Sequence, residues 1–334
     1  MTSIHSAVDS SIFAAADILR RGGLVAFPTE TVYGLGANAL DAAAVARIFE
    51  AKGRPANNPI IVHIADAGQV TQVASLWPAI AATLAVRFWP GPLTLVLPKH
   101  PNVPDIVTAG GPTVAVRIPA HPIARALLNA VQLPLAAPSA NRSGDLSPTT
   151  AEHVKSALGG RIDMILDGGP CPGGIESTVL DVTSDPPRLL RPGLITIEQI
   201  ERVIGPILRF APGDPDQPLA SPGMLPRHYA PRTPLEIAAD DGRSRVLELV
   251  RQGTRVAWLT RDTAPFAGES GREMLPREPA GYAAELYAAL HRLDALALDR
   301  IIVSRPPEGD DWLAIRDRLH RASEPRTQSA QRTE

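Results

Sequence analysis

Short apolar segments alternate with amphipathic ones along most of this 334-residue chain. Asp9–Arg21 has the helical period and is stopped by two glycines, Leu24–Phe27 is a short apolar run, and Asp41–Ala51 is helical again. Further strands are predicted at Ile60–Ile64, Leu93–Leu97, Val114–Ile118, Leu135–Ala137, Met164–Leu166, Ser177–Val182 and Arg188–Leu190, and further helices at Ile80–Phe88, Pro122–Ala130, Thr149–Leu158 and Thr196–Val203. This alternation is typical of an α/β domain, and we expect one that covers residues 1–204.

A proline-rich segment and a second unit follow. Residues 205–234 contain eight prolines and little periodicity, which predicts a semi-rigid linker. Beyond it, helices are predicted at Arg243–Arg251, Tyr282–Leu293 and Trp312–Arg321, and strands at Arg255–Leu259 and Arg300–Val303. We expect a smaller α/β domain over residues 235–322, built on a parallel sheet, and a disordered polar tail over residues 323–334.

Composition narrows the class of protein. A hydrophobic content of 44% with 20% charged residues is that of a globular protein, and a net charge of −2 gives no overall electrostatic attraction for nucleic acid. One cysteine, Cys171, excludes a disulfide framework and a multi-cysteine zinc site. The N-terminus lacks the pattern of a signal peptide, and no apolar run is long enough for a membrane span. The sequence therefore predicts a cytoplasmic enzyme or binding protein.

The segment Phe27–Gly36, FPTETVYGLG, joins a strand to what we interpret as a polar, glycine-punctuated turn. Gly34 and Gly36 would let the backbone approach a ligand, as happens at strand ends in α/β sheets, although a purely structural turn is equally consistent with the pattern. Neither the dinucleotide-binding nor the phosphate-loop fingerprint is present. A nucleotide would have to be held in another way.

Two cationic segments are candidates for anion binding. Lys52 and Arg54 lie with Asn58 in a loop that could bind phosphate or could simply be a solvated basic loop. His63 follows on a strand, where a lone histidine is more often structural. Arg117 ends an apolar strand, where its charge needs a buried carboxylate partner from the protein or from a substrate.

Polar residues also follow other strands. Ser139, Asn141 and Ser143 come after Leu135–Ala137, and Ser147 could cap the next helix or leave its N–H groups for phosphate. Arg191 ends a further strand. There is no defensible Ser-His-Asp pattern or nucleophile elbow, so such a site would bind and orient polyanions more than attack covalently.

Seven motifs in order are similar to those of the YrdC-type threonylcarbamoyl-AMP synthase family: FPTETVYGLG, KGRPxxNP, WPGPLTLVL, VAVRIP, APSANRSGxxSPT, GGxxxxGIESTVLD and RPG. The linker segment PGMLPRHYAP and the C-terminal unit resemble its two-domain branch. The resemblance covers residues 8–320 and implies a twisted mixed sheet flanked by helices, with a smaller Rossmann-like α/β domain.

The resemblance also implies a reaction and a set of residues. L-threonine, bicarbonate and ATP would give threonylcarbamoyl-AMP and pyrophosphate, for use by downstream tRNA-modifying transferase proteins and without stable nucleic acid binding by this chain. Threonine would be surrounded by Thr31, His63, Arg117, Ala137 and Ser177, and ATP by Arg54, Asn58, Thr113, Ser139, Ser147, Arg191 and His228. Lys52 and Arg54 would be catalytic, and Mg²⁺ would be held mainly by the ATP phosphates.

Two other interpretations are weaker. A non-catalytic RNA-binding module would normally show a basic face or stacking aromatics, and only 4% of the residues are aromatic. A carbamoyl transferase of the hydrogenase-maturation type is normally joined to cysteine-rich zinc modules, which one cysteine excludes here.

Overall fold

A computed structural model describes residues 2–209, 228–263 and 268–325. The strands of its larger sheet are β1 (Ser3–Ser6), β2 (Val25–Phe27), β3 (Gly34–Asn38), β4 (Ile61–His63), β5 (Leu93–Pro98), β6 (Thr113–Arg117), β7 (Leu135–Ala136), β8 (Met164–Asp167), β9 (Thr178–Asp181) and β10 (Arg188–Arg191). The helices of this part are α1 (Asp9–Arg20), α2 (Ala42–Lys52), α3 (Val70–Val73), α4 (Ala79–Phe88), α5 (Asp105–Thr108), α6 (Pro122–Val131), α7 (Ala151–Leu158) and α8 (Ile197–Ile204), with a 3-10 turn at Ala67–Gln69.

The larger sheet is mixed, as expected. Its strand order is β1-β8-β2-β3-β7-β4-β6-β5-β9-β10. Parallel pairs such as β4 with β6 and β5 with β9 are joined by antiparallel ones such as β5 with β6. The parallel register of β4 and β6 places their carboxyl ends together, with His63 beside Arg117.

A smaller sheet of four parallel strands follows in the order β11-β14-β12-β13. Its elements are β11 (Leu235–Ile237), α9 (Arg243–Arg251), β12 (Val256–Thr260), β13 (Gly271–Met274), α10 (Pro279–Ala295), β14 (Arg300–Val303), a 3-10 turn at Asp310–Trp312 and α11 (Leu313–Ser323). The predicted fold class, an α/β domain with a mixed sheet and a smaller parallel one, is confirmed.

The predicted linker and tail are covered only in part. Helix α8 ends at Ile204 and β11 begins at Leu235, but residues 210–227 between them lie outside the described residues. Residues 326–334 of the tail also lie outside them. The domain boundaries therefore stay a prediction.

The glycine-punctuated turn was assigned wrongly in part, because Gly34–Asn38 is strand β3, paired antiparallel with β2. A Cβ at Gly36 would lie 2.8 Å from Cε1 of Phe27, so this glycine makes room for an aromatic ring of the neighbouring strand rather than for a ligand. Only the residues that precede β3 form a turn. Strands β1, β11 and β13 were also missed, since short or partly exposed strands give a weak apolar signal.

Side-chain caps explain where two helices of the first domain begin. Asp41 accepts hydrogen bonds from the backbone N–H groups of Ala43 and Ala44 and so begins α2. Helix α7 is capped by Thr150, which accepts from the N–H of His153. The predicted capping role of Ser147 is therefore wrong, and this residue lies three positions before the cap.

Two apolar cores meet at the boundary between the sheets. The core of the smaller domain, which includes Tyr287 and Leu290 of α10, continues into Val32, Leu146 and Ile175 of the larger domain. The second domain is thus packed directly on the loops around β3 and β9. Within the described part of the chain, no helix is long and apolar enough to cross a membrane.

Candidate active site

A cleft lies where the carboxyl ends of β4 and β6 meet the loops before β3 and β9. The residues that line it are Thr29, Thr31, Val32, Gly34, Arg54, Ile61, His63, Arg117, Ala137, Pro138, Ser139, Glu176, Ser177, Arg191, His228 and Tyr229. Its cavity volume is about 50 Å³, which is space for a few waters.

The structure brings together all of the residues expected around threonine. His63 and Arg117 lie side by side through the β4–β6 register, and Ala137 follows β7, with its N–H donating to the carbonyl of Ile61 at 2.9 Å. Thr31 and Ser177 complete the group from the loops before β3 and β9.

Arg117 is the centre of this group. Its Nη2 lies 2.6 Å from Oε1 of Glu30, its Nη1 donates to Oγ1 of Thr31 at 3.0 Å, and its Nε donates to the carbonyl of Gly91 at 3.1 Å. The sequence left open whether the carboxylate partner belongs to the protein or to a substrate, and in the structure Glu30 is that partner. Burial works to raise the pKa of Glu30, but the charge of Arg117 and its hydrogen bond hold it below the usual value.

The turn that carries Thr31 is organised by Thr29. The Thr29 hydroxyl donates to the carbonyl of Val32 at 2.7 Å and accepts from the N–H of Thr31 at 3.1 Å, while the two threonine hydroxyls lie 2.7 Å apart. These contacts fix the Thr31 hydroxyl beside Arg117. Sequence reasoning did not single out Thr29.

Arg54 and Arg191 supply further positive charge to the cleft. Arg54 donates to the carbonyl and to Oδ1 of Asn58 at 3.0 and 2.7 Å. Burial lowers the pKa of Arg54 to about 9, and the charge of Arg191 acts in the same direction. Arg191 donates twice to the carbonyl of Ser177, at 3.0 and 3.1 Å, and once to its Oγ at 3.2 Å. Ser139 and His228 of the expected ATP group also line the cleft.

Lys52 is buried but is not among the lining residues. Its ammonium donates to the carbonyls of Ser139, at 2.5 Å, and of Asn141. Burial, followed by the charge of Arg54, lowers its pKa well below the usual value. In this structure Lys52 thus holds the backbone of the loop that carries Ser139.

Three other expected ATP residues lie outside the lining. Asn58 is fully buried behind Arg54, and Ser147 donates to Oε1 of Glu176 at 2.5 Å. Thr113 begins β6, at the opposite end of that strand from Arg117. These three side chains do not line the cleft in this structure, and their role toward ATP stays a prediction.

Glu176 is a lining residue that sequence reasoning missed. It is buried between Ser147, Tyr287 of α10 and Arg318 of α11. The sequence does contain an indication of its role. Glu176 is an acidic residue in the glycine-rich, apolar segment just before β9, where a buried charge needs a partner. The partner could not be found from the sequence because it lies in the second domain.

Several buried polar atoms around the cleft have no hydrogen-bond partner among the described residues. They are Nδ2 of Asn58, Nδ1 of His63 and Nδ1 of His228. Burial lowers the pKa of His63 to about 3, and burial with the charges of Arg54 and Lys52 lowers that of His228. Both imidazoles are therefore neutral at pH 7 and present an unused ring nitrogen, which is what a site for a polar ligand requires.

Two family models match the chain. One, described as "Telomere recombination" and named for the Sua5, YciO and YrdC proteins, matches residues 17–193. The other, described as "Threonylcarbamoyl-AMP synthase, C-terminal domain", matches residues 195–324.

Individual relatives match over nearly the whole length. Threonylcarbamoyl-AMP synthase of Bacillus subtilis is 48% identical over 97% of this chain and 96% of its own. The synthase of Pyrococcus abyssi is 46% identical over 92% and 93%. A crystal structure of P. abyssi Sua5 complexed with L-threonine superposes with a TM-score of 0.89 at 44% identity and covers 97% of each chain.

Proposed function

The chain belongs to the threonylcarbamoyl-AMP synthase family, and we propose that its cleft joins L-threonine, bicarbonate and ATP into threonylcarbamoyl-AMP, pyrophosphate and water. One observation carries the assignment of the cleft. The residues expected around threonine, which come from five separate segments, all line the same cavity as Arg54 and Arg191.

The threonine side of the cleft offers a cation for a carboxylate. Arg117 is held in place by Glu30, Thr31 and the carbonyl of Gly91, so its guanidinium is oriented before a ligand arrives. Neutral His63 offers Nδ1 to the amino or hydroxyl group of the amino acid. The solved P. abyssi Sua5 is complexed with L-threonine, which supports threonine as the amino-acid substrate.

On the ATP side we propose that positive charge and orientation do most of the work. The threonine amine takes up the carbon of bicarbonate with loss of water, and an oxygen of the resulting carbamate attacks the α-phosphorus and expels pyrophosphate. The phosphorus centre gains charge during this step, and Arg54 and Arg191 are the lining cations that can stabilise it. Lys52 acts by holding the Ser139 loop, and His228 and Tyr229 line the cleft.

Mg²⁺ enters this proposal only as a companion of the ATP phosphates. The carboxylates at the cleft are engaged, Glu30 by Arg117 and Glu176 by Arg318. Within the described ranges, no group of three or more His, Cys, Asp or Glu side chains is arranged to hold a metal ion. These residues do not build an ion site.

The product is a mixed anhydride of a carbamic acid and AMP, and it needs an acceptor. We propose that downstream transferase proteins use it to form threonylcarbamoyladenosine in tRNA. The chain itself needs no stable contact with nucleic acid for the first step.

The test is pyrophosphate release from MgATP by the purified full chain, with threonine and bicarbonate omitted in turn. We expect release that requires both. Release that is indifferent to threonine, or salt-dependent RNA binding without nucleotide turnover, would contradict the proposal.

A further inference from the structure

A carboxylate of the cleft is bound by the second domain. Arg318 of α11 donates from Nε to Oε2 of Glu176 at 2.7 Å, and the hydroxyl of Tyr287 on α10 donates to the same oxygen at 3.2 Å. Ser147 of the first domain donates to the other oxygen, Oε1, at 2.5 Å. Each oxygen of this carboxylate therefore has a donor.

The pair is buried on both sides. The side chains of Arg318 and Glu176 are 1% and 8% exposed. Burial works to raise the pKa of Glu176, but the charges of Arg318 and Arg191, with hydrogen bonds from Ser147 and Arg318, hold it below the usual value. Removing one partner of such a pair leaves an uncompensated buried charge.

The same arginine also contacts a second residue that lines the cleft. Its guanidinium carbon lies 5.1 Å from the ring centroid of Tyr229, within range of a cation–π contact, and Asp317 accepts from its Nη1 at 2.7 Å. The Tyr229 ring lies 5.9 Å from that of Tyr287. Arg318 thus contacts both Glu176 and Tyr229, two lining residues from different segments.

The second domain is pressed against the loop that carries Glu176. A Cβ on Gly174 would come within 2.2 Å of the carbonyl oxygen of Ala283 in α10, so only glycine fits at this contact. Ile175 belongs to the core of the second domain. The position of Glu176 and Ser177 is therefore set by contacts across the domain boundary.

We propose that the second domain serves ATP binding by neutralising Glu176, with Arg318 as the positioning residue. This inference rests on the proposed function, because it assumes that the cleft binds a polyanion. Without Arg318, the carboxylate of Glu176 faces the same cavity as the triphosphate and repels it. With Arg318 in place, the cleft keeps the net positive charge of Arg54 and Arg191.

The experiment measures ATP affinity by calorimetry, without threonine or bicarbonate, in Arg318→Met, Glu176→Gln and the double variant. Arg318→Met should weaken ATP binding by about tenfold or more, since two unit charges several ångströms apart interact by at least this much at intermediate dielectric. The double variant should recover most of that loss, because the repelling charge is gone. Arg316→Met on the same helix, whose Nη1 donates to the carbonyl of Pro307 at 2.6 Å, is the matched control and should bind ATP like the wild type.

Kinetics separate this role from a general loss of structure. Arg318→Met should raise the KM for ATP more than the KM for threonine, and Glu176→Gln should restore the ratio. A double variant as weak as Arg318→Met, or equal losses for both substrates, would overturn the inference. If Arg318→Met does not fold, Glu176→Gln alone decides: it should bind ATP at least as tightly as the wild type, and weaker binding contradicts the proposal. A wild-type chain that releases no threonine-dependent pyrophosphate would instead contradict the proposed function.

Discussion

Arg117→Lys tests whether the fork of this guanidinium, and not only its charge, holds threonine. Lysine keeps a positive charge at this position, so Glu30 would still have a cation beside it. It cannot reach Glu30, Thr31 and the carbonyl of Gly91 at once, because its ammonium sits at a single point. The cation would then no longer be aimed into the cleft.

The expected loss follows from the contacts. If Arg117 binds the threonine carboxylate as proposed, the substitution removes at least one charge-assisted hydrogen bond, which contributes about 1.5–3 kcal/mol. Threonine affinity should therefore fall by about 10- to 150-fold, at about 1.4 kcal/mol for each factor of ten. ATP affinity should change by much less, because Arg54 and Arg191 are untouched.

The assay is the KM for threonine in pyrophosphate release, together with threonine binding by calorimetry. Arg188→Lys, on the exposed start of β10 in the same sheet, is the control and should leave both KM values unchanged. A threonine KM within about twofold of the wild type would refute the role of the fork. Such a change is much smaller than the effect of losing one hydrogen bond to a charged group.

Three further predictions concern stability. Gly36→Ala places a methyl group 2.8 Å from Cε1 of Phe27 and should lower the free energy of unfolding by about 1–3 kcal/mol in denaturant titrations, whereas no loss would show that the ring can move aside. Lys52→Met leaves the carbonyls of Ser139 and Asn141 without their donor. The melting temperature should therefore fall, and the KM for ATP should rise with it. A change in only one of these two quantities would contradict the positioning role of Lys52. Burial lowers the pKa of His63 to about 3, so below about pH 6.5 the unfolded chain binds a proton that the folded chain does not. The free energy of unfolding should therefore be highest above that pH and fall toward pH 4. A free energy of unfolding that does not change over this range would contradict the prediction.

Strand-end residues were predictable because the sheet itself brings them together. His63 and Arg117 each end an apolar segment, and the parallel register of β4 and β6 then makes them neighbours. The need of Arg117 for a carboxylate was also readable from its apolar strand. Its partner Glu30 could not be chosen in advance, since that choice depends on how the turn before β3 folds over the strand ends.

Other features depend on contacts that local pattern does not contain. The glycines of β3 look like a turn in sequence, but Gly36 is required by the ring of Phe27 on the next strand. Ser147 looks like a helix cap, but Thr150 caps α7, and the Ser147 hydroxyl instead donates a hydrogen bond to Glu176. Glu176 and Arg318 are separated by 142 residues and lie in different domains, so no local pattern links them.

The most direct test of the proposed reaction is to follow the carbon of bicarbonate into the product. The full chain is incubated with MgATP, L-threonine and ¹³C-bicarbonate, and the adenylate product is analysed by mass spectrometry. The account predicts threonylcarbamoyl-AMP that carries the heavy carbon and forms in equal amount to pyrophosphate. Pyrophosphate release with no labelled adenylate, or an adenylate that lacks the label, would contradict it.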